Sequence, residues 1–482
     1  MKKTIMSTAV LAALSSASLG VAAQTSVTLY GIVDAAITNV SGVRTSTGDQ
    51  GRVTAVSSGV LDGSRWGIRG TEDLGGGVRA IFLLENRLEI DNGQVSNRPV
   101  SGTQVPERFF SVGGSGSLPA PNATAALNVN CGGRTTDGSV LGARLTEGAP
   151  TAVPVAAQVA AAQVACGVYG QAYPALASAS YGVNIPGRLF DRQAFMGLIT
   201  PVGAFLMGRQ YTPAFETFAT FDVTGTSSNI GPGQLASLPA LLEIRESNTI
   251  SYRIELGGIK AQAMYGVGEV VGSEKSSRLW GINGSYTTKD FGFGAGHNER
   301  TNELGQKSLK TTVIGAYGVF GPFKFTGVAG QFKDDAPNGI AAFRTQVLNG
   351  VVATINTNPA LAALVPNAAL IGRNAANAAY DAFKQDGVVY GVGAEYKSGP
   401  HKIWATYNKY NDKRPFDADV ESAGLAYIYS LSPRTSLYTT FVQFMNGRTA
   451  QALPGGNGFL GGVSFAPNTD NRGMAFGIQH RF

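Results

Sequence analysis

Apolar and small-or-polar positions alternate along the last nine residues, Met474-Ala-Phe-Gly-Ile-Gln-His-Arg-Phe482. In an extended strand Met474, Phe476, Ile478, His480 and Phe482 share one face, and Ala475, Gly477, Gln479 and Arg481 the other. One greasy face and one small or polar face suit the wall of a transmembrane β-barrel, with lipid outside and water inside. The same period recurs upstream. In residues 78–87, Ala80, Phe82 and Leu84 alternate with Arg79, Ile81, Leu83, Glu85 and Arg87, and in 64–70, Trp66 and Ile68 oppose Arg65, Gly67 and Arg69. A half-buried strand of a soluble sheet has this period too, so repetition along the chain carries the argument.

Turn signals supply that repetition. They fall at Asp73-Leu-Gly-Gly-Gly77, Thr200-Pro-Val-Gly203, Leu256-Gly-Gly-Ile259, Lys289-Asp-Phe-Gly292, Gly321-Pro-Phe323, Ser398-Gly-Pro-His401 and Leu431-Ser-Pro-Arg434. Each is flanked by runs of about ten residues, the length of a membrane strand. Seven hairpins make fourteen strands, and the segments 27–38 and 472–482 raise the expected count to sixteen. The predicted fold is all-β: a sixteen-stranded antiparallel transmembrane barrel with short periplasmic turns and long external loops. Residues 43–62, 91–187, 211–246 and 334–386 read as the long connections, with short helices expected in 340–365 and 374–383.

The N-terminus fits an exported chain. Lys2 and Lys3 precede an apolar stretch, and Val21-Ala-Ala23 offers a cleavage site, so residues 1–23 read as a signal peptide and 24–482 as the barrel. Without those two lysines, 36 of the 38 basic residues remain against 32 acidic ones, a net charge of +4. That excess is too small to point to nucleic acid. Past the leader, no run of 18 apolar residues reads as a helical span. A content of 64 Gly against 2 Cys and 3 His suits many strands and turns.

Several motifs together resemble the neisserial-type general porins of β-proteobacteria. They are Ser26-Val-Thr-Leu-Tyr-Gly31, Ser64-Arg-Trp-Gly67, Gly70-Thr-Glu-Asp-Leu-Gly75, Arg192-Gln-Ala-Phe-Met-Gly-Leu198, Gly208-Arg-Gln-Tyr211 and the ending Gly477-Ile-Gln-His-Arg-Phe482. The resemblance implies a homotrimer in the outer membrane, a third external loop folded into the pore, and a terminal aromatic strand that serves assembly. It also implies that Arg192 lines the pore wall. The second and sixth external loops, around 111–186 and 334–386, are longer than the family pattern.

Such a protein makes no bonds, so its site is an electrostatic constriction. Arg65, Arg69, Arg79 and Arg87 have lumen parity, with Glu85 among them. Arg209 shares parity with Phe205 and Met207, which face lipid, and joins the wall only if its strand bends. Glu216 and Asp222 lie in the third loop, where they can face the arginines across an eyelet. The bland alternative is that these arginines solvate the lumen or pair with carboxylates. The favoured expectation is modest anion selectivity, because arginine stays charged and its rigid fork holds a pose.

Cys131 and Cys166 share the second loop, and an oxidising compartment favours a disulfide between them, worth roughly 3–4 kcal/mol in the chain-entropy model. Aromatic residues including Tyr252, Trp280, Tyr286, Tyr427, Tyr429, Phe476 and Phe482 read as interface girdles or as ordinary strand formers. Only His297, His401 and His480 offer imidazole bases, and no nucleophile or phosphate loop accompanies them, so no enzyme, cofactor or metal is expected. Asp334 and Asp335 read as a solvated loop. Expected partners are lipopolysaccharide and outer-membrane lipid, small hydrophilic solutes and inorganic ions, with a solute-specific channel or a barrel-based surface adhesin as alternatives.

Overall fold

The computed structural model describes residues 26–44, 49–93, 95, 144–181, 188–226, 228–236, 243–365, 367–414, 418–448, 450, 452–455, 464–466 and 468–482. The expected signal peptide lies outside them. Strands β1 (Ser26–Arg44), β2 (Gln50–Ser58), β3 (Arg65–Gly75), β4 (Val78–Arg87), β5 (Gln193–Thr200) and β6 (Gly203–Tyr211) begin the wall. Then come β7 (Arg245–Leu256), β8 (Ile259–Gly266), β9 (Leu279–Thr287), β10 (Phe291–Thr301), β11 (Lys307–Phe320) and β12 (Phe323–Asp334). It ends with β13 (Gln385–Ser398), β14 (His401–Asp412), β15 (Val420–Ser430), β16 (Thr435–Asn446) and β17 (Asn471–Arg481).

Every adjacent pair in the wall is antiparallel, and β17 returns to β1 with Ile32 opposite Arg481 and Val40 opposite Gly473. The seventeen segments fill sixteen positions. Both β2 and β3 pair with the same edge of β1, β2 along 35–44 and β3 along 26–32. All seven predicted turns join hairpins. At one of them, Gly257 and Gly258 both take positive φ (55° and 89°), the conformation a two-residue hairpin needs and glycine adopts freely. The expected irregular loop at 43–62 is corrected: β1 continues to Arg44 and β2 pairs back onto it. The Val53-Thr-Ala-Val56 run is a good strand former, and polar neighbours hide its alternation.

The alternation sets the two faces. Along β17, Met474, Phe476 and Ile478 are exposed outward, while Gly473, Ala475, Gly477 and Gln479 are buried inward. Leu29, Met196, Ile250, Ile282, Phe325 and Val392 are likewise exposed on the outer face. Such apolar exposure suits hydrocarbon, and among the described residues no helix is long and apolar enough to cross a membrane. Near the turns, Tyr286 meets Phe291 and Phe293, Phe323 meets Phe325 and Tyr396, and His401 meets Tyr427 and Tyr429, forming an aromatic band.

The third loop, between β6 and β7, enters the barrel. Thr212 caps helix α2 (Pro213–Phe221) by accepting from Phe215 N, and proline sits in its first turn, where a missing N–H costs nothing. Helix α1 (Val155–Tyr181) precedes it in the second loop. Phe218 and Phe221 of α2 are fully buried with Val313, Val328 and Phe332 of the wall, each such burial being worth roughly 1.5–3 kcal/mol. A short helix α3 (Gly233–Ala236) follows, and Ile230 just before it reaches the far wall. There Thr406 Oγ1 and Asn408 Nδ2 donate to Ile230 O at 2.6 and 3.0 Å. Asn229 Nδ2 donates to Thr440 Oγ1, and Asn229 N donates to Val60 O. The wall is hollowed to receive it: a Cβ on Gly315 would lie 2.4 Å from Phe221 Cβ, and one on Gly424 2.4 Å from Ile230 Cβ.

The sixth loop holds helices α4 (Ile340–Asn356), α5 (Pro359–Leu364) and α6 (Ala368–Phe383), in the stretches expected to be helical. Helix α1 was not anticipated. Its Ala/Val-rich sequence has no charged residue and therefore no polar stripe to reveal a helical period.

Two predictions follow from closure and docking. Phe482 exchanges both backbone hydrogen bonds with Gly31 at 3.1 Å, and its ring covers Gly31, where a Cβ would lie 2.5 Å from Phe482 Cζ. Phe482→Ala is expected to lower the yield of heat-modifiable folded barrel severalfold on gels, and a normal yield would contradict this role. Gly424→Val is expected to cost about 1–3 kcal/mol by overpacking. It should expose residues 211–246 to limited proteolysis, whereas unchanged resistance would mean that the third loop docks elsewhere.

Candidate functional site: the lumen wall beside the third loop

The parity of β3 and β4 places Arg65 and Glu85 side by side on the lumen face, two residues out of direct register. Glu85 is buried and satisfied from three directions. Arg192 Nε donates to it at 2.7 Å, Tyr30 OH donates at 3.0 Å, and Arg65 Nε lies 3.8 Å away. Removing one partner of such a buried pair typically costs about 3–5 kcal/mol, because it strands a charge. Arg65 is also held by a bidentate contact to Asp62, with bonds of 2.9 and 3.0 Å. Arg192 Nη2 donates to Tyr211 OH at 3.0 Å, and Arg245 stacks on the Tyr211 ring, 5.0 Å from its centroid. Arg69 is exposed to the lumen and lies over the Tyr30 ring at 5.2 Å. Arg65, Arg69, Arg192 and Arg245 thus face two carboxylates, Glu85 and Asp62, leaving two positive charges in excess.

Other expected members stand elsewhere. Arg79 is opposite Asp73 at the turn end of the β3–β4 hairpin, while Arg65 is opposite Arg87 at its other end, so Arg79 does not join the cluster. Alternation specifies a face but not a height. Arg87 is buried, with its Nε 3.3 Å from Asp191 Oδ2. For Arg209 the anticipated irregularity is present: the β6–β7 register shifts between Gly208 and Gln210, with Asn248 at φ 56°. Its guanidinium donates to Asp191 O at 2.6 Å and to Ser247 Oγ at 2.9 Å.

The two loop carboxylates do not face the cluster as expected. Glu216 pairs with Arg253 of β7 at 2.8 Å. Asp222 is buried and accepts from Thr224 N, Thr224 Oγ1 and Thr226 N, so it holds the loop's own turn together. Burial raises the pKa of both groups. Arg253 opposes the rise at Glu216, and the hydrogen bonds from Thr224 and Thr226 oppose it at Asp222. On the turn side of α2, Lys260, Lys289 and Lys324 line a cavity of about 450 Å³ with Thr220, Ser285, Thr287 and Tyr317.

Arg245, Arg253, Lys260 and Lys324 were missed. Counting alternate positions from lumen-facing Thr249 or Thr326 finds Arg253 and Lys324. Arg245 shares parity with Thr249, but the β6–β7 slip lies between the two. Cys166 is disulfide-bonded, and Cys131 lies outside the described residues. The histidines have structural partners on the strands: His297 meets Thr312 and Trp280, His401 meets Tyr427, and His480 meets Thr435. Among the described residues no group of His, Cys, Asp and Glu is arranged to hold a metal.

Comparison with known proteins places this architecture. The family model described as Gram-negative porin matches residues 7–144 and 176–449. An outer membrane porin protein of Bordetella pertussis is 43% identical over 103 residues, 19% of this chain and 26% of its own length. Outer membrane porin protein 32 of Delftia acidovorans is 47% identical over 96 residues, 20% of this chain and 25% of its own. The chain therefore spans about a quarter of the length of these curated relatives. The anion-selective porin from Comamonas acidovorans has the same fold, with a TM-score of 0.58 at 18% identity over 95% of this chain and all of that one. With the family model matched over most of its length, the chain belongs to the Gram-negative porins and is an outer-membrane β-barrel.

Proposed function

We propose that the chain forms a water-filled channel for passive diffusion of small hydrophilic solutes and ions, with a modest preference for anions. The observation that carries this reading is the arginine excess around Glu85, set in a closed wall beside a docked loop. Fixed charge in a narrow lumen with low-dielectric walls concentrates counter-ions and biases which ions enter. Lys289 and Lys324, on the turn side of α2, add charge of the same sign, while Lys260 pairs with Glu255. A protein of the same fold is named for anion selectivity, which is in keeping with this reading.

The channel works without catalysis, cofactor or metal. Assembly as a homotrimer in lipopolysaccharide-rich membrane follows from the family resemblance. The Cys131–Cys166 disulfide and the constriction roles of Arg65, Arg69 and Arg192 belong to the same proposal. In planar bilayers the reconstituted protein is expected to give stepwise conductance that rises in proportion to salt concentration. Saturation at low salt would favour a solute-specific channel, and no conductance would overturn the channel reading.

Acidification supplies a second test. Because burial raises the Glu216 pKa, this carboxylate loses its charge at a higher pH than a free one. The lumen then gains net positive charge, so anion preference is expected to grow as pH falls into the region above the usual carboxylate range. The docked loop binds this proton more tightly than an undocked one, so docking is strongest at low pH and weakens as pH rises through that window. In Glu216→Gln this response should shrink, with the remainder left to Asp222, whose pKa burial also raises. An undiminished response there would place the titrating group elsewhere.

A further inference from the structure

The two enlarged loops leave opposite sides of the barrel. The second emerges between β4 and β5, the sixth between β12 and β13. Eight strands, β5 to β12, separate these exits on one side. On the other side stand eight wall positions: β13 to β17, β1, the β2/β3 pair and β4. Sixteen positions at roughly 4.8 Å spacing and ~40° tilt make a cylinder roughly 30 Å across.

Yet helices of the two loops share one hydrophobic core. Ala161, Val164, Ala165 and Val168 of α1 are buried with Phe343, Val347 and Val351 of α4 and with Ile371 and Ala375 of α6. Tyr169 OH donates to Ala375 O at 2.7 Å. Gly350 admits α1 closely, since a Cβ there would lie 2.8 Å from Val168 Cγ1. Asn374 Nδ2 donates to Leu145 O and Glu147 O, and Arg144 pairs with Asp381 at 2.5 Å. Along 160–169 only Gln163 and Gly167 are not buried, so this stretch of α1 is enclosed on nearly every side, as an apolar segment without a polar stripe requires.

The assembly is fastened to the rim beside the sixth loop. Glu303, between β10 and β11, accepts from Gly339 N and Ala341 N at the start of α4, at 2.7 and 3.1 Å. Arg414 Nη1 donates to Lys384 O just past α6. Helix α1 has 27 residues, about 40 Å of helix, and its C-terminal end hands the chain back to β5 on the opposite side. Two loops rooted half a circumference apart can share a core only if chain crosses the mouth between them.

We propose that α1, α4, α5 and α6 form a cap across the external mouth, which acts as a sieve excluding larger solutes before they reach the third loop. This rests on the channel reading above. The cap is a separate packing unit, because its core residues belong to the second and sixth loops and none to the wall. Its disruption should therefore leave the barrel intact.

The test is liposome swelling with a series of uncharged sugars, comparing the full chain with Val347→Asp/Val351→Asp. Both valines are fully buried in the cap core. The variant should keep its heat-modifiable barrel, and its ratio of trisaccharide to monosaccharide flux should rise severalfold. An unchanged ratio in a folded variant overturns the proposal. If the double variant does not fold, replacing residues 340–383 by a short Gly-Ser turn between β12 and β13 decides the matter on the same ratio. Ion conductance measured alongside separates the two readings. Conductance with an unchanged ratio removes the sieve alone, whereas absence of conductance from both proteins removes the channel.

Discussion

Everything in this protein depends on one constraint: a strand wall in hydrocarbon has to pair all its own N–H and C=O groups, since no water is there to do so. Closure between β1 and β17 meets it, and the backbone exchange between Gly31 and Phe482 completes the seam. Closure also fixes which side chains meet water. Once β17 is seated, every second residue around the wall must face a lumen, and that lumen is wide enough to need filling. The third loop fills part of it, held by apolar burial of Phe218 and Phe221 on one side and by hydrogen bonds at Asn229 and Ile230 on the other.

The electrostatics follow from that arrangement. A loop whose helix α2 packs against β8–β12, with Asn229 and Ile230 reaching β14 and β16, leaves Arg65 and Arg69 of β3 facing the lumen. Arginines near it are held apart and aimed by the buried Glu85 and the half-buried Tyr30 and Tyr211. Glu85 therefore works as a clamp, and the excess charge is left to solutes. Asp222 shows the complementary use of a carboxylate. Its charge is spent on three local donors, so it shapes the loop without opposing the arginines.

Much of the barrel was legible in the sequence because membrane strands obey two strong local rules, a period of two and tight turns. Those rules located all seven hairpins, the closing strand, and the lumen faces of Arg65, Glu85 and Arg69. They failed where position depends on distant chain. Arg79 has the right face at the wrong height. The partners of Glu216 and Asp222 depend on the route of the third loop, and Arg245 lies beyond a register slip that interrupts the alternation of β7. The β2 strand and α1 were hidden by composition: polar residues obscure the alternation of β2, and uniform apolarity leaves α1 without a stripe. Glycine content suggested turns, while Gly315 and Gly424 serve as hollows for a loop, a use visible only once the loop is in place.

The central claim is that fixed positive charge on the lumen wall biases passage. The most direct measurement is the zero-current potential of the wild-type channel in a planar bilayer under a potassium chloride gradient at neutral pH. A potential whose sign shows chloride passing more readily than potassium is the predicted result. A potential of the opposite sign would contradict the account.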